Sequence, residues 1–503
     1  MKSNKLVKVA AYIIAAGIMT LLMVFNYATS CFNKNNDSFA GFSAGSESLV
    51  TAGMVAQIRG LEGEYAIGYY ENAFGNAKRS NRGLEYYNKA CAGITNDLFD
   101  HGYSRTQPGV VILGYNVMTN NVYESGEVMQ FADGSEYKIN EVTVEGENFY
   151  VHLDCDEMLT EETKGMLVDS KVFDANGDEI ELERYSSYIS HYGLQGSLFG
   201  FFTRFFSPQR VFKFSNMFSC LCTALVFVAI VFLLYKKYNV LMAACFYLVF
   251  LLAPVIVNFA RNLYWVEFTW FIPVLAGLLC SVYYDNKKIR VLSCALAFLS
   301  VFAKSLCGYE YISTILIAMM SFLFADFVSS IVKKDREKSL SYFKTMLVMG
   351  ALAVMGFAVA IVLHASMRGG GNLMAGIAEI WQQDVMRRTL GGDPADFSEI
   401  FAASLTASVG DVVKLYLAPQ VEIVAGLSGS WFKLLMLLPV PAFALQLIAC
   451  KKIDVQQAVL YLLTMAAALS WFVLAKSHSY EHTHTLMWQC GISALYSFAF
   501  TYR

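Results

Sequence analysis

The chain has 503 residues, of which 56% are hydrophobic and only 16% are charged. An average soluble domain carries roughly 25% charged residues, so this composition excludes an ordinary soluble enzyme. Residues 27–213 hold 26 acids and 14 bases, whereas the rest of the chain holds 15 acids and 24 bases. The sequence therefore predicts an acidic soluble module within a basic membrane protein.

Apolar runs close to the length that crosses a bilayer recur along the chain. They predict a mainly α polytopic membrane protein with about ten transmembrane helices and a mixed α/β extracytoplasmic insertion after the first helix. The predicted spans are 8–26, 214–235, 239–258, 263–283, 290–304, 309–331, 343–365, 431–450, 454–475 and 485–501.

Charge gives the orientation of these spans. If the N-terminus is inside, every inside loop carries Lys or Arg, as the positive-inside rule requires. We therefore expect a multi-pass protein of a bacterial cytoplasmic membrane with both termini in the cytoplasm. The predicted parts are the first helix (1–26), a large outer loop (27–213), helices two to seven (214–365), a second outer loop (366–430) and helices eight to ten (431–503).

The large outer loop is composite. Helical spacing predicts helices over Ser46–Gly60 and Arg82–Leu98. Short runs rich in Val, Ile and Tyr predict a β subdomain at about 109–185. The phenylalanine-rich segment Gly193–Pro208 predicts an interfacial helix, because aromatic rings favour the depth of the lipid headgroups.

The second outer loop, 366–430, contains two moderately amphipathic stretches, Met374–Leu390 and Phe397–Leu417. Backbone that is irregular at the depth of the membrane needs a cavity or a protein cover. We therefore expect short helices here that cover a cleft.

Ionisable and aromatic residues collect at the outer ends of the predicted spans. Such residues mark functional sites in membrane proteins, although Arg and Lys can also extend to the headgroups and Tyr and Trp can form an interfacial belt. The candidates are Arg261, Tyr264, Trp265, Glu267, Lys304, Tyr309, Glu310, His364, Arg368, Lys476, His478, Glu481, His482 and His484.

A lipid-linked substrate that carries phosphate suits such a cleft, because cationic side chains bind phosphate oxygens. A carboxylate could then act as general base on an acceptor hydroxyl. Glu47 is the best-placed acid and Asp37 is its closest rival. The alternative for Glu47 is a favourable interaction with a helix N-terminus.

The layout and several short blocks resemble the GT-C superfamily of polytopic glycosyltransferases. The blocks are GFSAGSESLV with Glu47, GLQGSLFGFF, RNLYWVEFTWFIP, KSLCGYEYIST and KSHSYEHTH. The resemblance implies a GT-C-like fold, with a polyprenyl-phosphate sugar donor and Glu47 as catalytic base. It also implies that Arg261, Lys304 and His478 contact the donor phosphate, and that the acceptor is an envelope glycan, lipid or protein.

Other functions remain open from the sequence. His478–His482 fits the H-x-x-E-H pattern of certain zinc proteases, so His478, His482 and His484 are weak metal candidates, although inverting glycosyl transfer requires no cofactor. An O-antigen-type polymerase or ligase shares the lipid-linked sugar substrate. A transporter or a sensor with an outer ligand module is an alternative of another class. Nucleotide-binding motifs and a basic domain for nucleic acid are absent from the sequence.

Overall fold

The structure is a computed structural model, and its atoms divide into two compact units. The helical unit comprises Met1–Phe39, Ser190–Leu194 and Asn216–Arg503, and the mixed unit comprises Ala40–Ile189 and Gln195–Ser215. The residues that the structure describes are 2–33, 39, 46–74, 76–77, 99–164, 166–167, 169–391, 393, 395, 402–417 and 439–481.

Helices dominate the described residues. In chain order they are α1 (Lys2–Thr29), α2 (Glu47–Arg59), α3 (Val117–Val122), α4 (Glu161–Lys164), α5 (Leu194–Phe202), α6 (Pro208–Lys237), α7 (Val240–Leu252), α8 (Pro254–Arg261), α9 (Phe268–Val282), α10 (Lys287–Cys307), α11 (Ile312–Val332), α12 (Arg336–Arg368), α13 (Leu373–Glu379), a π-helix (Ile380–Leu390), α14 (Ala402–Thr406), α15 (Val409–Leu417), α16 (Pro439–Cys450), α17 (Val455–Leu474) and α18 (Lys476–Glu481).

The mixed unit contains antiparallel sheets. An eight-stranded sheet has the order β2-β3-β4-β7-β6-β5-β8-β9, and β1 pairs separately with β10. The strands are β1 (Gly68–Asn72), β2 (Asn76–Ala77), β3 (Phe99–Tyr103), β4 (Val110–Gly114), β5 (Val128–Gln130), β6 (Glu136–Glu145), β7 (Asn148–Leu153), β8 (Lys171–Phe173), β9 (Glu179–Ile180) and β10 (Glu183–Ser187).

Alternation of apolar and polar residues explains the larger sheet. Along β7, Phe149, Val151 and Leu153 are buried and their neighbours are more exposed, as expected for a strand with one face in a core. Strands begin at Gly68, so strand structure starts earlier in the chain than the predicted boundary of about 109. The predicted helix Arg82–Leu98 lies outside the described residues.

Two helices of the mixed unit pack closely on the segment that precedes β1. The helix expected over Ser46–Gly60 runs from Glu47 to Arg59, and Gly60 caps it with a left-handed φ of 75°. Gly53 of α2 and Gly196 of α5 both approach the Ala66 carbonyl so closely that a Cβ would collide with it. Glycine at both positions therefore permits this packing.

The helical unit is that of a mainly α membrane protein. Within the described residues, helices at Val9–Thr29, Arg210–Lys237, Lys287–Cys307, Ile312–Val332, Arg336–Arg368 and Val455–Leu474 are long and apolar enough to cross a bilayer. Of the other predicted spans, 431–450 is described only from Pro439 and 485–501 lies outside the described residues.

The predicted span 239–258 is broken into two helices, α7 and α8, which together are long and apolar enough to cross a bilayer but meet at an angle of 68°. Pro254 causes the break, because it has no N–H to donate to the carbonyl of Phe250 and disfavours helical backbone at the preceding residue. The carbonyls of Phe250 and Leu251 accept hydrogen bonds from Tyr27 (2.9 Å) and Asn26 (2.7 Å) of α1. These bonds compensate for the interrupted helix.

The predicted span 263–283 begins five residues before the helix that the structure shows. The apolar helix there is α9, which begins at Phe268 and has 15 residues. Residues 262–267 are not helical, because the side chain of Asn262 accepts hydrogen bonds from the backbone N–H groups of Tyr264 (2.9 Å) and Trp265 (3.1 Å). This turn brings the aromatic residues of the loop into the site described below.

A buried polar network joins four helices of the helical unit. Lys237 of α6 donates to both carboxylate oxygens of Asp326 of α11, each at 2.8 Å. Gln456 of α17 also donates to Asp326, at 2.8 Å, and so does Ser281 of α9. Because the carboxylate is satisfied from three neighbouring helices, this network fixes their mutual positions.

Candidate functional site

Part of the helical unit contains a group of ionisable side chains that is mostly buried. We call it the ionic cluster, and its residues come from the loop before α5, the end of α10, the loop before α11, the end of α12 and the π-helix. They are His191, Lys304, Glu310, Arg368, Asp384 and Arg388.

Glu310 is the centre of one half of this cluster. It is 6% exposed and interacts electrostatically with His191, Lys304 and Arg388, whose nearest guanidinium nitrogen is 3.9 Å away. Burial acts to raise the pKa of Glu310, but the interactions with these three side chains together hold that pKa below its usual value. Glu310 is therefore ionised at neutral pH.

Lys304 and Glu310 are held by the loop between α10 and α11. The Nζ of Lys304 donates to the Gly308 carbonyl at 2.7 Å, and Gly308 has a φ of 153°, which favours glycine. A Cβ at position 308 would also collide with the Glu310 carboxylate. The motif K-x-x-x-G-x-E thus positions a buried cation and a buried acid beside one glycine.

The other half of the cluster connects α12 to the π-helix. Arg368 forms ion pairs with Asp384 and, at 3.2 Å, with Glu379. Asp384 also pairs with Arg388 at 3.3 Å. The wider π-helix turn is uncommon and is often found at functional sites.

An aromatic wall of ring-to-ring contacts continues from the ionic cluster. His191 contacts Tyr264 with ring centroids 5.4 Å apart, and further centroid distances of 5.0–6.4 Å connect the remaining members. The members of this aromatic wall are Tyr264, Trp265, Trp270, Tyr311, Trp471 and His478.

Several buried polar atoms in this region have no hydrogen-bond partner among the described residues. They are the indole N–H groups of Trp265, Trp270 and Trp471, and both carboxylate oxygens of Glu267, which is fully buried. Buried polar groups are normally satisfied, so a concentration of exceptions points to a ligand site or a reactive centre.

Backbone strain occurs in the same region. Val266 has a φ of 41° and Tyr311 a φ of 62°, both in the left-handed region that bulky side chains rarely adopt. Each such residue costs of order 1–3 kcal/mol, and such strain clusters at functional sites. Val266 lies in the loop before α9, next to Trp265, and Tyr311 is itself a member of the aromatic wall.

The structure brings some of the predicted site residues together. Lys304 and Glu310 lie in the ionic cluster, Tyr264, Trp265 and His478 lie in the aromatic wall, and Tyr309 forms a 2.8 Å hydrogen bond with His364. Arg261 has a different environment: its guanidinium stacks 3.4 Å from the centroid of Phe39 and donates to the Phe39 carbonyl.

The remaining predicted residues are more scattered. Glu47 is fully buried in the first turn of α2, in the mixed unit. Lys476 begins α18, and the backbone of Glu481 ends it. Asp37, His482 and His484 lie outside the described residues. Within the described part of the chain, no group of three His, Cys, Asp or Glu side chains could hold a metal ion.

The sequence did not single out His191, Asp384 or Arg388 as site residues. Asp384 and Arg388 are four residues apart, which is ordinary for an exposed ion pair on a helix. His191 stands alone between the β subdomain and a phenylalanine-rich helix. Its only signal in the sequence is a lone histidine in a segment without acids, and its burial beside Glu310 is not visible there.

His191 makes stability depend on pH. Burial lowers the pKa of His191 most strongly, the Glu310 carboxylate acts to raise it, and the nearby cations lower it further, so that it falls to about 3 from an ordinary value of 6.5. Between these values the unfolded chain binds a proton that the folded chain does not, so stability falls as the pH falls below 6.5. We expect acidification from pH 7 to pH 5 to remove about 2 kcal/mol through this residue.

Thermal unfolding of the purified protein in detergent at pH 7 and pH 5 tests this expectation. His191→Asn should show a smaller loss of Tm on acidification than the wild type, while the control His152→Asn should not. Glu310 affects stability at lower pH than the interval from pH 7 to pH 5. Because its pKa in the folded protein is lowered, its stabilising contribution is lost below pH 4.5. An unchanged pH dependence in His191→Asn would contradict the assignment.

The sequence matches no protein-family model, no curated protein and no solved structure.

Proposed function

We propose that this protein is a membrane glycosyltransferase that moves a sugar from a polyprenyl-phosphate donor to an envelope acceptor on the outer face of the cytoplasmic membrane. The observation that carries the proposal is the continuity of the ionic cluster with the aromatic wall inside one unit. Cations suit the phosphate, and aromatic rings with N–H donors suit a sugar.

Within the cluster, Lys304 is the cation best suited to a phosphate. Arg368 and Arg388 are each within 4 Å of carboxylate oxygens, whereas the hydrogen bond of Lys304 goes to a carbonyl. An ammonium group has three N–H donors, so Lys304 can donate to Gly308 and to phosphate oxygens together. Lys304 is thus assigned to the donor phosphate.

The aromatic wall would hold the sugar. The side chains of Trp265, Trp270 and Trp471 combine flat apolar faces with indole N–H donors. The faces can cover the C–H groups of a sugar ring, and the N–H groups can donate to its hydroxyls. His478 was predicted from the sequence as a contact of the donor phosphate, and the proposal retains it. Its ring centroid lies 6.4 Å from that of Trp471.

Arg261 is the third residue that the sequence predicts to contact the donor phosphate, and the proposal retains it. It ends α8 and is 7% exposed. A guanidinium group matches the geometry of phosphate oxygens, and this chemistry is the reason for keeping Arg261 in the proposal.

Glu47 is the proposed general base. Its carboxylate takes the proton of the acceptor hydroxyl, whose oxygen forms a bond to the anomeric carbon of the sugar. The bond from that carbon to the phosphate oxygen breaks, and polyprenyl phosphate leaves with the electron pair. Lys304 stabilises the charge that develops on the leaving oxygen. This single displacement inverts the anomeric centre and needs no metal.

A GT-C-like arrangement of about ten spans with cytoplasmic termini accompanies this proposal. It is supported by six helices of spanning length, the bent pair α7–α8 and the shorter apolar helix α9. The mixed unit is then the outer insertion after the first span, where an acceptor is accessible. The hydrophobic faces of the spans accommodate the polyprenyl tail.

Glu47→Gln tests the base. Reconstituted protein is given labelled polyprenyl-phosphate sugars and an envelope extract as acceptor, and the initial rate of transfer is measured. We expect a loss of about 100-fold or more, because general base catalysis contributes 10²–10⁴-fold. Glu62→Gln, an exposed acid just after α2, is the matched control and should transfer at the wild-type rate. Undiminished transfer by Glu47→Gln would rule out this residue as the base.

A further inference from the structure

A groove of about 680 Å³ runs between α10 and α12. It is distinct in character from the ionic cluster, because most of its lining is apolar. Its lining includes Arg290, Ala295, Phe298, Lys344, Val348 and Met355.

The groove faces outward from two helices that are long and apolar enough to cross a bilayer. Leu299 on α10 is 56% exposed, and Val348 and Met355 on α12 are 53% and 48% exposed. Side chains of this kind on a spanning helix are in contact with lipid, so the groove is open to acyl chains.

Both cations of the groove lie toward the N-terminal parts of their helices. Arg290 is the fourth residue of α10 and Lys344 the ninth residue of α12. Leu299 and Met355, which line the apolar part, follow them by 9 and 11 residues. At 1.5 Å per residue, the groove extends for roughly 14 Å beyond the cations.

Arg290 is held in place by neighbouring side chains. Its guanidinium carbon lies 5.0 Å from the ring centroid of Tyr284. The Tyr284 hydroxyl is hydrogen bonded to Ser341 at 2.7 Å and to Thr345 at 3.1 Å, both on α12. The arginine is thus oriented toward α12, the helix that carries Lys344.

We propose that this groove binds an anionic diacyl phospholipid of the surrounding leaflet, with one acyl chain along the apolar wall and the phosphate at Arg290 and Lys344. The groove favours an anionic lipid because its lining includes two cations, Arg290 and Lys344, and none of the described residues that line it is acidic. Basic pockets between spanning helices on the cytoplasmic side bind anionic head groups, and the predicted topology puts Arg290 and Lys344 on that side.

Native mass spectrometry of the full-length, delipidated protein tests the proposal. Phosphatidylglycerol and phosphatidylcholine are added separately, and the affinity for the first bound lipid is measured. We expect Arg290→Gln/Lys344→Gln to weaken phosphatidylglycerol binding about 30-fold, since each cation near the surface contributes about 1 kcal/mol. Phosphatidylcholine binding should change little.

Two further variants make the test specific. Lys333→Gln/Lys338→Gln removes the same charge from exposed residues outside the groove and should bind phosphatidylglycerol as the wild type does. Ala295→Trp fills the apolar part and should weaken binding while both cations remain. Wild-type phosphatidylglycerol affinity in Arg290→Gln/Lys344→Gln would overturn the proposal. So would displacement of phosphatidylglycerol by an equimolar polyprenyl phosphate, which would assign the groove to that lipid.

Discussion

Replacing Lys304 with glutamine is expected to lower transfer from a polyprenyl-phosphate sugar about 100- to 1,000-fold, the loss typical of removing one donor from a developing negative charge. Lys304 is 2% exposed and lies in the same cluster as Glu310. Glutamine is one bond shorter than lysine; it retains N–H donors but has no charge. The effect should therefore appear mainly in kcat.

Initial rates over a range of donor concentrations, with the Glu47→Gln and wild-type proteins in parallel, measure this effect. Thermal unfolding of Lys304→Gln shows whether the fold is retained. Lys476→Gln, at the beginning of α18, removes a cation that is not in the ionic cluster and should cost much less. If Lys304→Gln is folded and transfers sugar at a rate within about threefold of the wild-type rate, Lys304 does not bind the donor phosphate.

Asp326→Ala is expected to destabilise the helical unit by about 3–5 kcal/mol, because it leaves the buried Lys237 without its anionic partner. The side chains of Lys237 and Asp326 are only 12% and 7% exposed. The substitution also removes the acceptor of Gln456 and Ser281. Denaturant or thermal unfolding in detergent micelles measures the loss.

The double variant Lys237→Met/Asp326→Leu is the matched control for this pair. Replacing both members of a buried ion pair with apolar residues is often neutral, whereas removing one is costly. We therefore expect the double variant to recover most of the stability that Asp326→Ala loses. If Asp326→Ala unfolds at the wild-type midpoint, the network does not hold the helices as described.

The sequence allowed the membrane class and many of the helices to be predicted, because bilayer thickness imposes a length on apolar runs. It did not allow the bend at Ala253-Pro254 to be placed. A proline can be accommodated within a membrane helix, and the outcome depends on which partners satisfy the freed carbonyls. Here those partners are Asn26 and Tyr27, more than 220 positions earlier in the chain.

The candidate site was predictable only in part for a related reason. Lys304 and Glu310 could be predicted because both sit in one short block with an intervening glycine. Arg388 approaches Glu310 from a segment 78 positions later, and His191 from one 119 positions earlier. Contacts between residues so far apart in the chain leave no local sequence pattern. Helical patterns in a sequence assume the 3.6-residue turn of an α-helix, and a π-helix has a wider turn. The side of the helix on which Asp384 and Arg388 lie could therefore not be predicted.

We propose that this protein adds a sugar to a component of the cell envelope. Mass spectrometry of envelope glycans tests it most directly, in cells that carry the wild-type protein, lack it, or carry Lys304→Gln. We predict that at least one glycan loses the mass of a glycosyl residue in the second and third strains, and that the wild-type protein restores it. Identical glycan masses in all three strains would contradict the proposed function.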